Sequence, residues 1–191
     1  MLKQSIMAAA LVLTSAGSWA DWQLDASQST LTLLSDKNAG VVEQHAFEVF
    51  DVAVSDAGEI RVEIELASIE TRIGIRNERM RDMLFQVAEF PKASLSGNLG
   101  ELDLTSVGAA PQMASIPLTV TLHGSTQTLV ADVWISRADG ALYVSTLNPI
   151  LVRATDFGLA EGIEALRAVA GLKTIGQTVP VTFNLRLLNA Q

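Results

Sequence analysis

Apolar and polar positions alternate along most of this chain. Ile60, Val62, Ile64 and Leu66 are separated by Arg61, Glu63 and Glu65. Successive side chains leave a strand on opposite faces, so this run has one apolar face and one wet face. The same period recurs in Ile116, Leu118, Val120 and Leu122, then in Leu129, Ala131, Val133 and Ile135, and last in Val179, Val181, Phe183, Leu185 and Leu187. Residues 30–34 predict a strand ended by the polar residues 35–38. Residues 45–54 predict a second strand region, with Phe50, Val52 and Val54 on one face and Phe47 and Val49 on the other. Ala93, Leu95 and Leu99 mark a weaker strand interrupted by Gly97; Leu102 and Leu104 continue it after a bend, and residues 105–115 form a loop or hairpin connection. Leu142, Val144 and Thr146 share a face after the Asp139-Gly140 turn signal. Strands apolar on one face exclude a parallel sheet covered by helices on both sides. They predict an all-β antiparallel domain of seven or eight strands. A sandwich and a closed barrel both satisfy that pattern.

Two stretches break the period. Between residues 71 and 91, TRIGIRNERMRDMLFQVAEFP, the apolar spacing turns helical. Asn77 is placed to cap a helix over residues 78–85, with Met80, Met83 and Leu84 on its apolar side. Pro91 stops it from running on. Residues 147–157 have no clear period. After them Thr155 or Asp156 is placed to cap a second helix over residues 159–170, with the stripe Ile163, Leu166 and Ala170 and an end at Gly171.

The chain has 191 residues, and its first twenty read as a leader rather than as part of the fold. Lys3, the apolar run 6–14 and the small residues Ser18 and Ala20 predict a secretory signal peptide cut after Ala20. The run is too short for a membrane span, which needs about 18–20 apolar residues. Residues 21–191 then make one domain with a sizeable core. Losing Lys3 takes the formal net charge from −8 to −9, which argues against nucleic acid and against general attraction to anionic surfaces. The chain has no cysteine, hence no disulfide and no thiolate chemistry. Export without disulfides fits the periplasm.

Catalytic signatures are missing. The only histidines are His45 and His123, neither at metal-ligand spacing and both read as structural. There is no nucleophile elbow, no phosphate loop and no cofactor motif. The unusual chemistry lies in the 71–91 stretch. Arg72, Arg76, Arg79 and Arg81 face Glu70, Glu78 and Asp82, a local net charge of only +1. Arginine forks suit carboxylate or phosphate oxygens, and the adjacent Met80, Met83, Phe85 and Phe90 suit a flexible apolar chain.

An ordered set of motifs resembles the YceI-like family of periplasmic polyisoprenoid-binding proteins. WQLDASQSTLTLLSDK from Trp22 is similar to the family's opening. RNERMRDMLFQVAEFPKA, residues 76–93, resembles its most specific element. LTVTLHGSTQTL (118–129), RATDFGL (153–159) and VPVTFNLRL (179–187) follow in order. Asn77 stands where many members have Asp, and Phe85-Gln86 where the common form has an aromatic pair and an acid. The resemblance implies an extended lipocalin-like antiparallel β-barrel of about eight strands with two short helices. It implies a lumen holding an isoprenoid lipid, of the polyprenyl phosphate or isoprenoid quinone type. Arg76 and Arg79 are then the candidate head contacts, and Phe85, Phe90 and Phe157 the candidate tail contacts. No cofactor, no metal and no catalysis are expected. A homodimer stays open. The alternative is an exported structural or interaction module with a filled barrel; a hydrolase with an unmarked carboxylate pair is the third class.

Overall fold

The computed structural model of the chain describes residues 21–190; the expected leader, residues 1–20, lies outside them. Twelve strands are present among the described residues, all paired antiparallel. They are β1 (Trp22–Leu24), β2 (Thr30–Lys37), β3 (Val41–Phe47), β4 (Phe50–Val54), β5 (Glu59–Glu65), β6 (Ile69–Glu70), β7 (Lys92–Asn98), β8 (Gln112–Leu122), β9 (Ser125–Ala138), β10 (Ala141–Thr146), β11 (Ile150–Arg153) and β12 (Thr178–Asn189). Four pairs are halves of interrupted staves: β1 with β2, β3 with β4, β5 with β6, and β10 with β11. Along one edge β12 bonds to β1 and β2; along the other it bonds to β10 and β11. Likewise β3 bonds to β2 and β6, while β4 bonds to β1 and β5. The result is a closed eight-stave antiparallel barrel in chain order, the first stave pairing with the last. Closure leaves no free edge along the ring.

The interruptions explain where the sequence pattern misleads. Inward residues have even numbers in β1 (Trp22, Leu24) and odd numbers in β2 (Leu31, Leu33). The short helical turn Ala26–Gln28, fastened by the Asp25 carboxylate accepting from Ser27 N, shifts the count by one. The expected single strand over 45–54 is two strands, because Glu48 and Val49 are both exposed and so reset the alternation. Phe47 and Phe50, predicted on opposite faces, therefore both point inward. This is the effect of an extra residue in a strand. Residues 66–68 do the same between β5 and β6. Two further expectations are corrected. Leu104 begins a helical turn, Leu104–Ser106, instead of extending a strand, and β8 starts at Gln112, inside the expected loop.

Helix α1 (Gly74–Arg79) starts four residues before the expected position and runs into a wider π turn, Met80–Leu84. Asn77 does not cap it. Its buried side chain accepts from Thr71 N and from Thr71 Oγ1, at 2.9 and 2.5 Å, and donates to Glu70 Oε2 at 2.9 Å. It satisfies the end of β6, whose partners stop there, and so ties α1 to the sheet. Helix α2 (Ala160–Val169) follows a helical turn, Ala154–Phe157; neither Thr155 nor Asp156 caps it, because Gly158 at φ +69° reverses the chain between the two. Gly171 ends it as expected, at φ +64°. The two helices touch where Gly162 lies against Met83 and Leu84; a β-carbon there would sit 2.7 Å from the Met83 carbonyl oxygen. They cover one end of the barrel. The segment holding Leu104 and Val107 tucks under the other end, where Arg137 donates to the Leu104 carbonyl and lies over the Trp22 ring.

Candidate functional site

The barrel is not packed solid. A cavity of about 560 Å³ follows its interior, within the roughly 300–1,000 Å³ of small-molecule pockets. Its walls are the inward residues of the staves, among them Leu31, Val52, Val62, Leu118, Val133 and Leu142. These are the residues whose alternation was read from the sequence. A filled-barrel module has no such space.

Polarity changes along the lumen. On β2 the inward residues run Leu31, Leu33, Ser35, Lys37; opposite them on β3 run Phe47, His45 and Glu43. The deep part is apolar. A neutral pair follows, Ser35 Oγ with His45 Nε2 at 2.8 Å. Charges come last: Glu43 lies 2.7 Å from Lys37 Nζ and 2.6 Å from Arg76 Nη1. The cavity reaches the surface here, because Ile73 and Ile75 both line it and are about half exposed. Leu172 and Ile175, after α2, form the other lip.

The electrostatics follow from this gradient. The Lys37 hydrogen bond holds the Glu43 carboxyl below the usual carboxylate range, aided by the Arg76 charge and opposed by partial burial. Burial pushes the His45 imidazole down, and the Arg76 charge adds to that. His45 is therefore neutral at pH 7. A lowered folded-state value means that the unfolded chain takes up the proton first. Stability is then full above the ordinary histidine value of about 6.5 and falls as pH drops from there through the folded value. His45→Gln, which keeps a hydrogen bond to Ser35 but does not titrate, is expected to flatten this part of the stability curve. Urea unfolding at a series of pH values checks it; parallel curves for the two proteins would sink the assignment.

Of the sequence-predicted site residues, three line the lumen. Arg76 is held by Glu43 and donates from Nη2 to the Thr71 carbonyl. Arg79 also lines the cavity and forms no ion pair with a described residue. Phe85 is buried in the wall, its ring 5.8 Å from that of Phe47. The other two sit elsewhere. Phe90 lies against the His123 ring, 4.4 Å between centroids, beside the β8–β9 turn at Gly124. Phe157 is fully buried outside the cavity wall. Aromatic type alone does not say which face of a turn a ring takes.

Sequence reading missed Ser35, Lys37 and Glu43, and read His45 as structural. Being polar, Ser35 and Lys37 read in the sequence as the end of a strand. Their parity with Leu31 and Leu33 was the available signal: the strand continues inward-facing to Lys37. No described helix is long and apolar enough to cross a membrane.

Comparison with known proteins agrees with this architecture. A polyisoprenoid-binding domain from Saccharophagus degradans, implicated in plant cell wall breakdown, superposes with a TM-score of 0.85 at 32% identity, over 89% of this chain and 99% of that one. BcnA of Burkholderia cenocepacia shares the fold at 16% identity, with a TM-score of 0.67 over 85% of this chain and 98% of that one. The YCEI protein of Campylobacter jejuni shares it at 15% identity, with a TM-score of 0.55 over 77% and 84%. A search of curated proteins found no match. The YceI-like domain model matches residues 22–187, nearly all of the barrel, and the chain therefore belongs to the YceI-like family.

Proposed function

We propose that the protein binds a long isoprenoid lipid without chemically changing it, and stores or carries it. The observation that carries this reading is the apolar lumen graded in polarity toward one mouth. An isoprenoid has the same gradient: a long hydrocarbon tail and one polar end. Each buried methylene contributes about 0.8 kcal/mol before ordering costs. The tail enters first, because any polar head placed among Leu31, Val52 and Leu118 would lose its water without a partner. The 32% identical relative is itself a polyisoprenoid-binding domain, which supports the same ligand class here.

The head then lies by Arg79, Arg76 and the Ser35–His45 pair. Arg79 suits a phosphate, and the neutral pair suits a quinone carbonyl. Both head types belong to the proposal, as does export to the periplasm behind a leader cut after Ala20. Native purification, solvent extraction and mass spectrometry test it. A polyprenyl phosphate or an isoprenoid quinone is expected in the extract, in near-stoichiometric amount, and the intact chain is expected to start at Asp21. An extract without isoprenoid, from a protein that also takes up none when it is added, would overturn the binding reading.

A further inference from the structure

Three parts of the chain surround the mouth: residues 38–42, the β2–β3 turn with the start of β3; residues 72–75, the entry and first residues of α1; and residues 168–173, the end of α2 and the turn after it. They are fastened to one another. Asn38 N donates to the Thr174 carbonyl at 2.9 Å, Lys173 N donates to Asn38 Oδ1 at 2.8 Å, and Arg76 bridges α1 to β3 through Glu43. Exposed ends of elements and the turns beside them are usually polar, yet these carry Val41, Val42, Ile73, Ile75 and Val169, each 45–59% exposed. The apolar lumen thus continues outward as an apolar rim.

Charge is segregated along the barrel axis. Residues 37–42, 72–76 and 167–173 hold Lys37, Arg72, Arg76, Arg167 and Lys173 and no acid. Glu43 offsets one of Lys37 and Arg76, Glu164 pairs with Arg167, and Glu70 accepts from the Arg72 backbone; Asp36 and Glu78 lie nearby. The opposite end of the barrel carries Asp21, Asp56, Glu59, Glu101, Asp103 and Asp139. Five cations and five acids leave the mouth near neutral, whereas the far end, where Arg137 is the nearby cation, is strongly acidic; in a chain of net charge −8 the mouth is therefore the end that an anionic surface repels least.

We propose that the mouth rim docks on a bilayer containing anionic phospholipid, with Val42, Ile73, Ile75 and Val169 entering the headgroup layer. Arg72 and Lys173 lie at that level and meet lipid phosphates. Docked this way, the lumen opens onto the hydrocarbon, and an isoprenoid tail passes between membrane and barrel without crossing water. The docking role rests on the lipid-binding reading above.

Flotation with isoprenoid-free vesicles of phosphatidylcholine and phosphatidylglycerol tests it. The wild-type protein is expected to float with the vesicles, less so at raised ionic strength. The double variant Val42→Glu/Val169→Glu and the double variant Arg72→Glu/Lys173→Glu change only side chains outside the lumen wall. Each is expected to lower the vesicle-bound fraction at least about tenfold. Binding of an isoprenoid quinone in detergent solution is measured alongside and is expected to be unchanged in both. Wild-type protein that stays in solution, or variants that float as well as it does, would overturn the docking proposal; a protein acceptor would then be the partner of the rim. Protein that floats but takes up no quinone or polyprenyl phosphate would uphold docking and overturn the lumen reading.

Discussion

Ala131→Phe is expected to abolish isoprenoid binding while leaving the barrel folded. Ala131 is buried on β9, pairs with Ile116 on β8 and lines the lumen. A phenyl group there projects into space that already exists. Overpacking a filled core costs about 1–3 kcal/mol, but filling a void gains contacts instead. Thermal stability is therefore expected to be unchanged or raised. The ligand and the ring compete for the same volume, so affinity is expected to fall by at least about a hundredfold, as a loss of several buried methylenes implies. Ala93→Phe on β7 makes the same test from another wall. Quinone binding in detergent solution, read beside a melting curve, checks both. Full binding by two stable variants would mean that the ligand sits outside the lumen.

The largest effect on stability is expected at Asn77. Its amide makes three hydrogen bonds, two of them buried and one partly buried, that join α1 to Glu70 and Thr71. Asn77→Ala leaves Thr71 N and the inward oxygen of Glu70 without partners. A loss of about 2–4 kcal/mol is expected, at every pH, since buried groups left unpaired lose their water as well as the bond. Asn77→Asp is more informative. It keeps both acceptor contacts to Thr71 but sets a carboxylate where the amide donated to Glu70, 2.9 Å away. Two like charges at that distance favour sharing a proton, which raises the folded-state value of the pair. The variant's deficit is then full at neutral pH and shrinks as pH falls toward the ordinary carboxylate range of about 4. Urea unfolding at neutral and acid pH separates the two variants. Equal deficits for Asn77→Asp at both would show that the amide donor has no special role. Because Asn77 anchors the helix that carries Arg76 and Arg79, both variants are also expected to weaken head binding.

The same residue shows where sequence reading stops. The sequence offers a small polar residue before a helical period, which is the signature of a cap. The structure uses it inside the helix, because the end of β6 leaves a backbone donor that only a nearby side chain can reach. That donor exists only once β6 has paired with β3, so nothing local to residues 71–85 announces it. Arg76 is similar. Its local acids are Glu70, Glu78 and Asp82, yet its partner is Glu43, on a strand 33 residues earlier.

Local sequence determined the class of fold, since period-two alternation admits only one-face-apolar strands and most of the staves carry it. It also determined the end of α2 at Gly171 and, through an ordered set of motifs, the family. Tertiary structure decided the rest. Closure of the first stave on the last turned an apolar face into a lumen. Three interruptions changed the inward parity, so that Phe47 and Phe50 share a wall; Phe90 and Phe157 lie in connections between elements, outside that wall. The polar mouth of Ser35, His45, Lys37, Glu43 and Arg76 came together only through the pairing of β2 with β3 and the docking of α1. The physical reason is range. Alternation and turn signals act between neighbours along the chain, whereas a cavity and its mouth are set by which distant strands bond and by how much volume the ring encloses.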